Sequence, residues 1–151
     1  MYEFYVGTTP KDPPGNIVKV CLDSDGQLVD KSYYEAVSPA YLCRKGSCIY
    51  AVIENADFGG VQVFDVNKNG SLTAKARLDT EDVYSTYISA EKRGNRIFVA
   101  NYGTPSCAVY RYEAEKLVQE SVLREKKTKK SHIHCAALTP EEAYVCLVDV
   151  G

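Results

Sequence analysis

Tryptophan is missing from this chain, and no apolar run approaches the about 18 residues that a membrane-crossing helix needs, so a helical span is excluded and no membrane partner is expected. The six cysteines, Cys21, Cys43, Cys48, Cys107, Cys135 and Cys146, form no C-x-x-C pair. Most stand where sister segments carry small or apolar residues, which predicts buried thiols in a reducing compartment rather than disulfides or a metal site. Glycine-rich phosphate loops, zinc-spaced ligands and surfaces that interleave aromatic with basic residues are also missing, so neither a cofactor nor a nucleic-acid partner is expected. The amino terminus lacks the basic and apolar regions of a signal peptide and enters a strand by residue 4, which predicts a cytoplasmic protein.

What the chain does have is a near-neutral balance, with a formal net charge of −2 and 45% hydrophobic residues, and this suits a soluble globular domain. Its twelve tyrosines, with valine, isoleucine and threonine, fall in runs of period two separated by turn residues. That pattern reads as pleated strands and argues against helical repeats, which need a 3.6-residue period.

The runs repeat. Phe4-Tyr5-Val6, Ile49-Tyr50-Ala51-Val52, Ile97-Phe98-Val99-Ala100 and Val145-Cys146-Leu147-Val148 are anchored at Tyr5, Tyr50, Phe98 and Cys146, at intervals of 45, 48 and 48 residues. The first three lead through a turn into an alternating stretch, Ile17 to Leu22, Val61 to Val66 and Ala108 to Tyr112, and then into a short tail after Asp25-Gly26, Asn69-Gly70 or Glu115. Pro39-Ala40-Tyr41-Leu42, Ser85-Thr86-Tyr87-Ile88 and Ile133-His134-Cys135-Ala136 precede the last three runs. A unit of four short antiparallel strands in about 40 to 50 residues is the signature of a β-propeller blade. The predicted fold is all-β, a propeller of about three four-stranded blades plus the start of a fourth, with approximate units 3–34, 38–79, 84–123 and 132–151. Such an arc bares blade faces and strand edges. The expected partners are therefore the remaining blades of a longer chain or, failing that, further copies of this one.

In a repeat protein, function shows where one copy departs from its sisters. The starts of the innermost strands align Ala40, Thr86 and His134, of which only His134 titrates near neutral pH. The ends of the next strands align Thr8, Ile53, Asn101 and Asp149, followed by Thr9, Glu54, Tyr102 and Val150. In an up-and-down blade these two places share one end of the sheet, so His134, Glu54, Asn101, Tyr102 and Asp149 are expected at the channel mouth, with His132 on the same side of its strand as His134. Plainer roles stand beside these: strand packing for the histidines, a turn contact for Glu54, Asx turns for Asn101 and Asp149, and rim packing for Tyr102. The run Arg124-Glu125-Lys126-Lys127-Thr128-Lys129-Lys130 reads as a solvated loop, or as a device that steers an anionic substrate.

Tyr5-Val6-Gly7-Thr8, Ser38-Pro39-Ala40-Tyr41-Leu42, Ile49-Tyr50-Ala51-Val52-Ile53-Glu54, Phe98-Val99-Ala100-Asn101-Tyr102-Gly103, Ser131-His132-Ile133-His134 and Asp149-Val150-Gly151 occur in order. Together they resemble the lactonase family of seven-bladed β-propellers, which includes bacterial 6-phosphogluconolactonases and fungal carboxy-muconate cyclases. Ile53, Thr9 and Ile133 depart from the family pattern of asparagine, an aromatic and proline. The resemblance implies seven blades in a full-length member and hydrolysis of a sugar lactone, 6-phosphogluconolactone to 6-phosphogluconate, in pentose phosphate metabolism. His134 would be the base, Asn101 or His132 an oxyanion donor, and Glu54 or Asp149 the group that orients an imidazole or sugar hydroxyls. A cycloisomerase of the same family would need arginines in the channel, whereas Arg44, Arg93 and Arg96 fall in or beside turns at the far end. A non-catalytic binding propeller is the alternative of another class.

Overall fold

The computed structural model describes residues 1–9, 15–124 and 131–151, so all but Arg124 of the basic run lies outside the described residues. Among the described residues thirteen strands follow one another without a helix: β1 (Tyr2–Gly7), β2 (Gly15–Leu22), β3 (Leu28–Ala36), β4 (Leu42–Lys45), β5 (Cys48–Val52), β6 (Gly59–Val66), β7 (Leu72–Thr80), β8 (Ser85–Ala90), β9 (Arg96–Asn101), β10 (Ser106–Glu113), β11 (Lys116–Arg124), β12 (Ile133–Leu138) and β13 (Val145–Asp149). Each pairs antiparallel with its sequence neighbour within a sheet, giving meanders β1–β3, β4–β7, β8–β11 and β12–β13.

The first sheet corrects one expectation. It has three strands rather than four, because β1 corresponds to β5 and β9, and no described residue fills the place that β4 and β8 take in the next two sheets. That edge of β1 leaves Tyr2, Phe4 and Val6 exposed and opens a groove lined by Glu3, Phe4, Tyr5, Leu42, Arg44 and Ile49. At the other end of the chain Tyr144, Val148 and Val150 are exposed on or beside β13. Cys146 lies exposed there too, whereas Cys21 and Cys107 are buried as expected; all six thiols are free.

Turn chemistry sets the hairpins. Asp23 Oδ1 accepts from the backbone N–H groups of Asp25 (2.9 Å) and Gln27 (2.8 Å), and Gly26 takes the positive φ of 79° that the β2–β3 turn demands. The β6–β7 turn repeats the device, with Asn69 accepting from Ser71 and Gly70 at a φ of 75°.

Stacking of the sheets makes the core. Alternation sends Tyr50 and Val52 of β5 to one face, where they meet Ile88, Ile97, Val99, Ala108 and Tyr110 of the third sheet. Ile49 and Ala51 go to the opposite face and pack with Ile17 and Ala36 of the first sheet. In β9 the same division holds, since Phe98 and Ala100 turn away from Ile97 and Val99 to meet Ile133 and Ala136 of the fourth sheet. A strand buried on both faces is largely apolar, which is why β5 and the stretch of β9 from Ile97 to Ala100 read as unbroken apolar runs. Polar ties reinforce the stack: the buried Lys19 ammonium pairs with Glu3 (2.8 Å) and donates to the Asn69 carbonyl (3.0 Å), and Ser89 Oγ donates to the Ala136 carbonyl (2.6 Å).

Ile97 is 1% exposed between the second and third sheets. Replacing it with alanine is expected to cost about 2–5 kcal/mol through lost transfer energy and a residual cavity. Urea unfolding should report this as a lower midpoint with the slope unchanged.

Candidate functional site

The site lies where the start of each inner strand meets the end of the strand beside it. A series of hydrogen bonds crosses this end of the stack. Glu54 N–H donates to the Ser38 carbonyl (3.0 Å), Tyr84 N–H to the Asn55 carbonyl (2.9 Å), Tyr102 N–H to the Tyr84 carbonyl (2.9 Å), and Val150 N–H to the His132 carbonyl (3.0 Å). Between the third and fourth sheets the link is a side chain, with His132 Nδ1 lying 3.0 Å from the Tyr102 carbonyl. These bonds fix the loops after β5, before β8, after β9 and before β12 relative to one another.

Within that frame Glu54, Tyr84, Thr86, Tyr102 and His134 line an open cavity of about 380 Å³. Glu54 and Tyr102 are half-buried and His134 is exposed. Burial pushes the Glu54 carboxyl above the usual carboxylate range, and the charge of a protonated His134 opposes that rise. Tyr102 meets His134 in a T-shaped contact, with ring centroids 6.0 Å apart at 89°, and turns a face to His132, stacked at 4.1 Å and 8°. Among the described residues lining the cavity there is no lysine or arginine.

Of the residues singled out from sequence, the structure brings Glu54, Tyr102 and His134 together in the cavity and sets His132 behind Tyr102. It does not place Asn101 there. The Asn101 carboxamide is 0% exposed, accepting from Ser85 Oγ (2.7 Å) and donating to Ser106 Oγ (2.9 Å), while Ser85 Oγ also accepts from the Gly60 N–H (3.1 Å). It is thus a polar pin between the second and third sheets, and no longer a candidate oxyanion donor. Its repeat counterpart Ile53 is likewise 0% exposed, so the departure at that position alters packing rather than a cavity wall. Asp149 serves its own turn. It accepts from the His132 N–H (2.7 Å), the Gly151 N–H (3.0 Å) and the Ser131 hydroxyl, and these bonds hold its carboxyl down to about 2.

Tyr84 and Thr86 were not singled out, although the repeat contained the signal: each stands 48 residues before a histidine, His132 and His134 respectively. Tyr84 has a φ of 52°, in the left-handed region that a bulky residue seldom occupies, and this places it on the cavity rim. A larger depression of about 730 Å³ lies elsewhere, lined by Asp57, Phe58, Asp79, Asp82, Val118 and Arg124 among others. It contains neither histidine, and its Arg124 is already paired with the buried Asp82, so the smaller cavity is the candidate site.

The chain matches the model of the lactonase family, described as a seven-bladed β-propeller, over residues 3–151. The chain belongs to the lactonase family. Among curated relatives, the chain is 28% identical to a 6-phosphogluconolactonase of Bacillus subtilis, over 99% of the chain and 47% of that protein. Among solved structures, the periplasmic gluconolactonase of Pseudomonas aeruginosa superposes with a TM-score of 0.84 at 22% identity, covering 99% of this chain and 47% of that one. A putative 6-phosphogluconolactonase of Bacteroides fragilis gives a TM-score of 0.81 at 23% identity, covering 97% and 45%. At such identities the two structures speak for the fold alone. The chain spans about half the length of the curated relatives it matches.

Two outcomes are expected. Asn101→Ala should lower stability by about 1–3 kcal/mol, because Ser85 and Ser106 keep buried hydroxyls with one partner fewer, and a thermal melt checks it. Glu54, followed by carboxyl NMR, should titrate above ordinary glutamate and higher still in His134→Ala, where the opposing charge is gone. The sign follows: burial disfavours the Glu54 anion, so the penalty to folding grows as pH rises from the ordinary glutamate value through the raised one and is complete above it.

Proposed function

We propose that the cavity binds a sugar lactone and opens it by hydrolysis, with His134 as general base. The observation that carries this reading is the convergence of His134 and Glu54, contributed by different sheets, in one concavity of a lactonase-family chain. The imidazole takes a proton from water as the water oxygen attacks the lactone carbonyl; the ring C–O bond of the tetrahedral intermediate then breaks, and the imidazolium returns the proton to the departing hydroxyl. One water is consumed and one hydroxy acid is formed. With Asn101 enclosed, the Tyr84 and Thr86 hydroxyls are the cavity-lining donors for the oxyanion. Glu54 orients the imidazole or accepts from substrate hydroxyls.

The substrate we favour is 6-phosphogluconolactone, converted to 6-phosphogluconate in carbohydrate metabolism, which is supported by the name borne by the Bacillus subtilis relative. Among the described residues that line the cavity its phosphate finds no cation. Cycloisomerisation of an acidic dicarboxylate is less well supported. Arg44 lies in the groove beside β1, and Arg96 pairs with Glu120 (3.1 Å) and Glu91 (3.7 Å).

Lactone hydrolysis by the protein as its host makes it, measured above the spontaneous rate, tests the reading. His134→Ala should lose about 10²–10⁴-fold in kcat while its circular dichroism and melting point hold. Turnover unchanged in that variant would remove His134 from the reaction, and no turnover by the unaltered protein would leave a binding propeller.

A further inference from the structure

We propose that His132 is a strut that fixes the Tyr102 wall against His134, a positioning residue for the base rather than a group that touches substrate. For its kinetic consequence this rests on the lactonase reading; its geometry does not.

Repeat position is the first argument. His132 is the counterpart of Tyr84, whose backbone N–H joins the third sheet to the second through the Asn55 carbonyl. At His132 the backbone N–H is taken instead by Asp149 Oδ1 (2.7 Å), so the corresponding step from the fourth sheet to the third falls to the imidazole, which reaches the Tyr102 carbonyl at 3.0 Å. A carbonyl oxygen can only accept, which assigns a proton to Nδ1 in both the neutral and the charged ring. The link therefore survives protonation of His132.

Ring geometry is the second. His132 lies flat on the Tyr102 face at 4.1 Å and 8°, and Tyr102 and His134 stand perpendicular to each other at 6.0 Å and 89°. Three rings thus run in series from the Asp149 turn to the cavity, and only Tyr102 and His134 line it. One ring face of His132 is covered and its Nδ1 is engaged. Loss of the imidazole would free the Tyr102 ring to rotate and would loosen the junction between the two sheets that carry the site. Because a base must sit within hydrogen-bond reach of its water, a displacement of about 1 Å is felt in the chemical step more than in binding.

The test compares His132→Ala, which removes ring and bond, with His132→Phe, which keeps the stacked ring, and His132→Asn, whose amide keeps a donor near Nδ1. In the protein as its host makes it, His132→Ala should lower kcat about ten-fold with KM within about two-fold, and the phenylalanine or asparagine variant should recover part of the loss. In the same protein, the His134 ring-proton NMR signals should move in His132→Ala and return toward their original positions in the better of the two conservative variants. A raised KM with kcat intact would make His132 a substrate contact and overturn the proposal, as would His134 signals and kcat that ignore the alanine substitution. Should the unaltered protein fail to hydrolyse lactones, only the functional reading falls, and the NMR comparison still decides whether His132 positions His134.

Discussion

Burial of both faces of each sheet is the constraint on which everything else depends. A twisted four-stranded meander has two apolar faces and cannot cover either by itself, so each sheet is stable only when stacked between others. The three core clusters each lie between consecutive sheets and none within a single one. This explains the composition of the strands. β5, and β9 from Ile97 to Ala100, are apolar because both of their faces are interfaces, while the outer strands β3, β7 and β11 carry most of the exposed strand residues.

Stacking also builds the site. Each inner strand begins beside the end of its neighbour, so the same corner of every sheet comes to one place, and the crossing hydrogen bonds hold those corners in register. The cavity belongs to no sheet: Glu54 comes from the second, Tyr84, Thr86 and Tyr102 from the third, and His134 from the fourth. A carboxyl half-buried beside aromatic rings is costly to ionise, so Glu54 detracts from stability where it stands. Asp149 shows the opposite economy, its three donors stabilising the anion while it organises the turn that presents His132.

Much of this was legible in the sequence because the fold is periodic. Intervals of 45 to 48 residues between aromatic runs located the strands, and the singularity of His134 among Ala40 and Thr86 located the cavity. The error at Asn101 has a physical cause. Asn101 and Tyr102 are adjacent at the end of one strand, and strand alternation sends them to opposite sides, Tyr102 to the cavity and Asn101 between the sheets; expecting both at the mouth ignored that rule. Buried polar pins such as Asn101 with Ser85 and Ser106 leave no mark in a hydrophobic pattern, since each residue alone reads as a turn former. The stacking of His132 on Tyr102 was likewise hidden, because it joins residues 30 apart whose contact depends on how two sheets meet.

The central claim is that the small cavity at the inner-strand ends, rather than the larger acidic depression, receives the lactone ring. The most direct measurement is NMR chemical-shift mapping with a gluconolactam, a stable analogue that keeps the ring and hydroxyls but does not hydrolyse. The account predicts saturable shifts centred on Glu54, Tyr84, Thr86, Tyr102 and His134. Shifts centred instead on Asp57, Asp79, Asp82 and Arg124, with the two histidines silent, would contradict it.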